Sequence, residues 1–377
     1  MKIGWIVPGF SSDEHDWCIP ALLDLARVLA ARHDLHIFAL QYPYRRDRYP
    51  VFGATVHSIG GANRGRWVLP GVWRAAINEV TREHRRQRFD VLHTFWVYEP
   101  GVIAAWLKRR LGLRMVVSVA GGELAWLPAI GYGLAGQRWR LDLMRWVLRR
   151  ADAVTVGSQS LLNAVRQTVP DVPAERVVLA PLGVDVEMFA GADRHGNRHQ
   201  EMPVTALNVG SLEPVKAQAD LIRAFRFVVD REPAAKLMLV GAGRLRNVLQ
   251  SQADELRISD HVIFAGEVRR EHLPELYRQA AVFVQSSVHE AQGMAVIEAA
   301  ACGVPIVGTA VGALNDLAPE AALTAPPGDP LRLAQAILSV LSDPLRQRTL
   351  GSAARSRVEE MYRLDTAADR FEALYGK

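Results

Sequence analysis

Residues 289–305 read HEAQGMAVIEAAACGVP, and what flanks them decides the fold. Upstream, residues 281–287 (AVFVQSS) form a short apolar run closed by two serines, the pattern of a buried strand leaving into a loop. Downstream, residues 304–309 (VPIVGT) are the next strand. Between them the alanines of 299–301 continue a helix that Gly303 and Pro305 stop. Strand, loop, short helix and strand are a repeating unit of a parallel α/β sheet. Two carboxylates bracket the helix start: Glu290 in the loop, and Glu298 about one to two turns in.

A helix N-terminus presents unpaired N–H groups and partial positive charge, which suit an anion such as phosphate. Gly293 lets that anion approach the backbone closely. A carboxylate on each side accepts hydrogen bonds from hydroxyl groups. Hydroxyl, phosphate, hydroxyl is the layout of a nucleotide-sugar.

Working outward, the same alternation of strand and helix runs through both halves. After residue 203, strands are expected at 204–211, 236–244 and 262–268, a helix begins near Lys216, and residues 345–376 read as two helices. Before it, strands are expected at 2–8, 34–40, 91–95, 115–121, 153–158 and 177–181, with an amphipathic helix at 18–32. Residues 190–203 (AGADRHGNRHQEMP) are polar, rich in small residues and aperiodic, which is the reading for a linker. The expected organisation is a first Rossmann-like domain at 1–189, this linker, a second such domain at 204–360, and a terminal helix at 361–377.

Composition narrows the class. A chain of 377 residues with 49% apolar content suits two domains, each with a sizeable core. Cys18 and Cys302 are far apart with no metal-ligand spacing, which fits a reducing cytoplasm. The first ten residues read as a strand and not as a signal peptide, and no segment approaches the roughly 20 apolar residues of a membrane span. Lys and Arg outnumber Asp and Glu by 24 to 16 in residues 1–185 and are outnumbered 21 to 24 thereafter. A basic first half implies an anionic partner on that side, against the plainer reading of many solvated arginines. Residues 136–152 place Trp139 and Trp146 among five arginines. Such a helix either covers a sheet with its tryptophans in the core or lies in a membrane interface. Residues 63–74 (NRGRWVLPGVWR) repeat the basic-aromatic pattern.

The pair Glu290 and Glu298, followed by an Ala-rich helix, G-x-P and a strand, resembles the signature of the retaining glycosyltransferases of family 4, which have the GT-B fold. The likeness covers nearly the whole chain. It implies an α/β architecture of two Rossmann-like domains with parallel sheets facing an interdomain cleft, the donor held mainly by the second domain, and a last helix crossing back to the first. It assigns Glu290 to the donor sugar, Glu298 to the ribose hydroxyls, and the backbone of Gln292, Gly293, Met294 and Ala295 to the distal phosphate. The family segment G-R-x-x-x-x-K-G, which binds the diphosphate, is matched at Lys216, while Ser211 stands at its arginine position. Strand 262–268 leads to Val268, where relatives hold the nucleobase. Residues 181–189 (PLGVDVEMF) and 311–317 (VGALNDL) resemble further family segments, with Leu182 for Asn and Ala313 for Gly.

The first half departs from the pattern. Asp16 and Trp17 replace the Gly-Gly pair before the first helix, and Ala120 replaces the histidine of T-x-H-G. Either Glu123 or the Gly121–Gly122 backbone takes over, or the acceptor is unusual, or catalysis is impaired. His93, after a strand, faces the cleft or is a satisfied structural histidine. The acidic run Asp13, Glu14 and Asp16 with His15 reads as acceptor contact or solvated surface in preference to a metal site.

The resemblance therefore implies transfer of a sugar, with retention, from a UDP-, GDP- or ADP-sugar to a glycan, lipid-linked or small-molecule acceptor, with Glu290 and Lys216 catalytic and no cofactor or metal. Expected partners are the donor and the acceptor, with peripheral contact of the basic first domain to an anionic membrane as a further option; the expected location is the cytoplasm, either free or at the inner face of the membrane, and nucleic acid is not expected. The alternatives are a non-catalytic sugar-nucleotide-binding protein of the same fold and a GT-B nucleotide-sugar epimerase.

Overall fold

The structure, a computed structural model, describes residues 1–16, 18–61, 69–190 and 205–376. They fall into two compact units: Met1–Gly183 together with the segment from Leu364, and Val184–Arg363.

The first unit holds β1 (Lys2–Gly9), β2 (Asp34–Tyr42), β3 (Arg46–Val51), β4 (Ala54–Ile59), β5 (Val91–Phe95), β6 (Arg114–Val119), β7 (Ala153–Val156) and β8 (Val177–Leu179). They form one sheet in the order β3-β4-β2-β1-β5-β6-β7-β8. Every pairing is parallel except the β3–β4 hairpin. The central strands read as unbroken apolar runs because helices cover both faces. Ile3, Trp5 and Val7 of β1 pack on one face against Leu22, Leu25 and Leu29 and against Ala368, Phe371 and Leu374. Those last three belong to the helix Leu364–Tyr375. Further bonds hold it: Trp5 Nε1 donates to Tyr375 Oη at 3.3 Å, Arg114 Nε to the Leu374 carbonyl at 2.9 Å, and Arg32 pairs with Asp369 at 2.7 Å.

The second unit holds β9 (Thr205–Val209), β10 (Lys236–Val240), β11 (Val262–Gly266), β12 (Val282–Gln285), β13 (Ile306–Thr309) and β14 (Ala322–Ala325). All are parallel, in the order β11-β10-β9-β12-β13-β14. Alternate residues serve opposite faces. Ala206, Leu239, Val282, Val284 and Val307 pack under the helices Gln218–Val229 and Pro330–Leu341. Leu207, Val240, Phe283 and Ile306 pack under Met294–Ala301 and Pro344–Met361.

Three features differ from the reading of the sequence. The chain changes unit at Gly183–Val184 and not after Phe189, because Val184, Val186 and Phe189 are buried in the second core. The β3–β4 hairpin and β14 were not foreseen. In the helix Arg138–Arg150 the buried residues are Met144, Val147 and Leu148, whereas Trp139 is 51% exposed. The expected linker lies outside the described residues except for Ala190, as do Trp17 and residues 63–68. Among the described residues no helix is long and apolar enough to cross a membrane.

Candidate functional site

In an open parallel sheet, ligands gather at the carboxyl ends of the strands where the strand order reverses. In the second unit that point lies between β9 and β12, neighbours in the sheet whose helices run off in opposite directions along it. The loop after β9 carries Ser211 to Lys216, and the loop after β12 carries Ser286 to Gly293. Strand pairing therefore brings together residues more than seventy apart in sequence. Lys216 Nζ meets Glu290 Oε1 at 2.6 Å, with the ammonium 28% and the carboxylate 12% exposed.

The surroundings fix both groups. Ser287 Oγ donates to the same Glu290 oxygen at 2.6 Å. Ser286 Oγ donates to the Lys216 carbonyl at 2.8 Å, and the Val288 N–H donates to the Val215 carbonyl at 2.9 Å, so the two loops are stitched together. Thr309 Oγ1, at the end of β13, donates to the Ser287 carbonyl. After Lys216, Ala217 takes the left-handed conformation at φ 48° and starts the helix Gln218–Val229.

Gly293, at φ 95°, caps the helix Met294–Ala301. A Cβ there would strain the backbone and lie 3.1 Å from Gln285 Oε1. Gln285 is buried, and its Nε2 has no protein partner. Gln292 is buried while Met294 and Ala295 are half-buried, and the Gln292 carbonyl accepts from the Ala313 N–H at 2.6 Å. Gly312, at φ 57°, lies against this loop so closely that a Cβ would fall 2.5 Å from the Gln292 carbonyl and 2.8 Å from Glu290 Cβ. Glu298 is buried in the helix, and its Oε2 accepts from Tyr277 Oη at 2.9 Å. Burial, and then the Glu298 charge, push the Tyr277 phenol well above its ordinary value, so it stays a donor. Ser211 is exposed and Val268 half-buried, at the exits of β9 and β11.

Lys216, Glu290 and Gly293 are thus brought together, and the helix from Gly293 carries Glu298 on a side held by Tyr277. The sequence reading did not single out Ser287, Tyr277 or Gly312. Gly312 was legible as a glycine opening a helix; Ser287 and Tyr277 carried no signal.

In the first unit the expected residues have other work. Asp16 Oδ2 accepts from the Ser12 N–H at 2.6 Å and Tyr42 Oη at 2.8 Å, fixing the loop after β1. Glu123 is 2% exposed and accepts from the N–H groups of Gly121 at 2.6 Å and Val97 at 3.1 Å, so it ties the loops after β5 and β6. Burial raises its pKa against those bonds. Gly121 and Gly122 are half-buried; a Cβ at Gly121 would meet Trp96 and one at Gly122 would meet Tyr132. His93 is fully buried, with Nδ1 2.7 Å from Tyr375 Oη and Nε2 2.8 Å from Ser118 Oγ. Of its two sequence readings the structure shows the satisfied structural histidine.

Two family models cover most of the chain. Residues 21–188 match Glycosyltransferase Family 4, and residues 191–357 match Glycosyl transferases group 1. The chain is similar to D-inositol 3-phosphate glycosyltransferase of Thermomonospora curvata, 31% identical over 78% of this chain and 72% of that one. The chain belongs to the family 4 glycosyltransferases. This glycosyltransferase is also similar to N-acetyl-alpha-D-glucosaminyl L-malate synthase of Bacillus anthracis, 24% identical over 93% of this chain and 91% of that one. Among solved structures it shares its fold with sucrose-phosphate synthase from Thermosynechococcus elongatus (TM-score 0.81, 22% identity, 100% and 98% of the chains covered). It shares it too with HepE of Anabaena, solved with UDP-glucose (TM-score 0.78, 18% identity, both chains covered in full). The GT-B architecture of two Rossmann-like domains with parallel sheets is therefore that of this glycosyltransferase.

Proposed function

We propose that this glycosyltransferase moves a hexosyl group from a nucleoside diphosphate sugar to a glycan, lipid-linked or small-molecule acceptor, with retention of anomeric configuration. The observation that carries the reading is the Lys216–Glu290 pair beside the helix N-terminus at Gly293. Both groups would reach one ligand. The ammonium would turn to the diphosphate and the carboxylate to the sugar hydroxyls, exchanging one charge-assisted contact for two. Lys216 and the N–H groups at Gly293 to Ala295 would stabilise the charge that develops on the leaving diphosphate. That arrangement asks for no metal. Glu290 would orient the sugar and support its positive charge, Glu298 would take the ribose hydroxyls, and Val268 would line the base. The presence of UDP-glucose in the HepE structure makes UDP-sugars the first donors to try.

The first unit would select the acceptor. Its outer face offers a groove of about 520 Å³ lined by Arg82, Arg85, Arg86, Arg110 and Trp106, and Arg140 stacks over the exposed Trp139 at 5.3 Å. Both features suit peripheral contact with an anionic membrane. Salt-sensitive sedimentation with anionic but not neutral vesicles is expected.

The test is a panel of UDP-, GDP- and ADP-sugars followed by thermal shift and donor turnover. One nucleotide class should raise the melting temperature. Lys216→Ala should lower turnover by roughly 100-fold or more while leaving the fold intact. No shift with any donor would defeat the reading. Binding without turnover on any acceptor, or against water, would convert it to a non-catalytic binder, and acceptor-free change of the sugar to an epimerase.

A further inference from the structure

A second cluster of reactive groups lies in the first unit, away from the residues discussed so far. β2 and β4 are neighbours, with His36 opposite Thr55 and His57 opposite Phe38, so both imidazoles leave the sheet on the same face. The helix Leu69–Arg86 covers that face and lowers Glu79 and Glu83, one turn apart, onto them. All four side chains are buried, His57 and Glu83 to 2% exposure.

His57 Nδ1 lies 3.2 Å from Glu79 Oε1, and His36 Nε2 lies 3.2 Å from Asp34 Oδ1. The remaining nitrogens, His36 Nδ1 and His57 Nε2, face each other at 2.9 Å. A neutral imidazole has one N–H. In the metal-free protein His36 Nδ1–H can donate to His57 Nε2 while His57 Nδ1–H serves Glu79; if each ring instead turns its hydrogen to its carboxylate, two lone pairs face the same gap and a cation can sit there. A metal ion needs neutral imidazoles and would use those lone pairs.

We propose that His36 Nδ1, His57 Nε2 and the Glu83 carboxylate hold one Zn²⁺ ion that ties β2, β4 and the helix Leu69–Arg86 together. His36, His57 and Glu83 each offer one ligand atom, and these lie within 4.8 Å of one another. Zinc–nitrogen bonds of about 2.1 Å at tetrahedral angles set two nitrogens about 3.4 Å apart. The two rings need to part by a few tenths of an ångström, and Glu83 needs to turn inward. Asp34 and Glu79 already stand where outer carboxylates orient ligating histidines and fix their tautomers. An N₂O donor set with no sulfur selects zinc-like divalent ions over soft monovalent copper. The local arginines do not bar the ion. Arg48 and Arg86 both bond to Glu83 Oε1, and Arg82 bonds to Glu79. All three are about half exposed and can swing into water as the ion enters.

The experiment uses the full chain freed of metal with a chelator. Zn²⁺ is titrated against a chromophoric competitor, Co²⁺ serves as a visible-spectrum probe, and X-ray absorption of the zinc-loaded protein counts the ligands. One equivalent bound with a raised melting temperature, a tetrahedral Co²⁺ band and two imidazole ligands are expected. His57→Gln and Glu83→Gln should each lose roughly 100-fold or more in affinity, and Glu79→Gln roughly 10- to 100-fold. A folded wild-type protein that takes up no stoichiometric Zn²⁺ would overturn the proposal, leaving the two rings joined by an N–H···N hydrogen bond. So would uptake that survives both ligand substitutions, or a ligand set without two imidazoles.

Discussion

At the scale of single residues, most of the polar groups near the site hold other groups in place. Tyr277 shows this best. Its phenol is buried and bonded to Glu298. Tyr277→Phe keeps the ring and deletes one donor to a buried carboxylate, which should cost about 1–3 kcal/mol in urea unfolding. It should also raise the KM for the donor more than it lowers kcat, because Glu298 is proposed to bind and not to react. His93 is a second case. The indole of Trp5 can only donate, so the Tyr375 hydrogen is available to His93 Nδ1, and Nε2–H serves Ser118. Burial alone lowers this imidazole to about 3. An unfolded histidine, near pH 6.5, takes its proton first. The stability that His93 contributes is therefore full above about pH 6.5 and lost as the pH falls toward 3, at about 1.4 kcal/mol per pH unit. His93→Gln should flatten that limb of a stability–pH curve measured by chemical unfolding, from a lower starting value at pH 7.

At the scale of elements, legibility followed burial. Strands covered on both faces announced themselves as apolar runs, and the strand-loop-helix of residues 281–301 was readable together with its two carboxylates. β3 (RDRYPV) is largely exposed and charged, so periodicity had nothing to register. β14 is four residues long. His36 and His57 are lone histidines in sequence and become a pair only through the β2–β4 register. Trp139 defeated the expectation of a tryptophan core because the helix already buries Met144, Val147 and Leu148. Lys216 and Glu290 were each legible, but their bond depends on β9 lying beside β12. The same crowding makes the loop after β13 sensitive. Gly312→Ala would add a methyl into the Gln292 carbonyl at a left-handed position. A loss of at least about 2 kcal/mol is expected, with turnover falling more than tenfold as Glu290 is displaced; alanine at Gly328, left-handed too at φ 76° but with nothing within 4 Å of a Cβ, should lose less stability and leave turnover unchanged.

At the scale of the molecule, the helix Leu364–Tyr375 matters out of proportion to its length. Phe371 is 1% exposed and sits in the first unit's core with Trp5 and Phe95. Phe371→Ala should cost about 3–5 kcal/mol. Hydrogen exchange should show the loss in β1, β5 and β6 and leave β9 and β12 protected, since the second unit has its own two cores.

The two chain crossings lie side by side: the Val184 N–H bonds to the Tyr362 carbonyl at 2.8 Å, and Val184 and Arg363 form a bridge. The second unit is thus one uninterrupted stretch whose ends meet, whereas the first is discontinuous. On a ribosome the order of completion is inverted. The stretch translated later, Val184–Arg363, holds everything it needs as soon as it emerges, while the one translated earlier waits with an open hydrophobic face for a helix that arrives after it. Protease challenge of stalled nascent chains should find the second unit resistant first, and the nascent first unit should be the part that a chaperone grips.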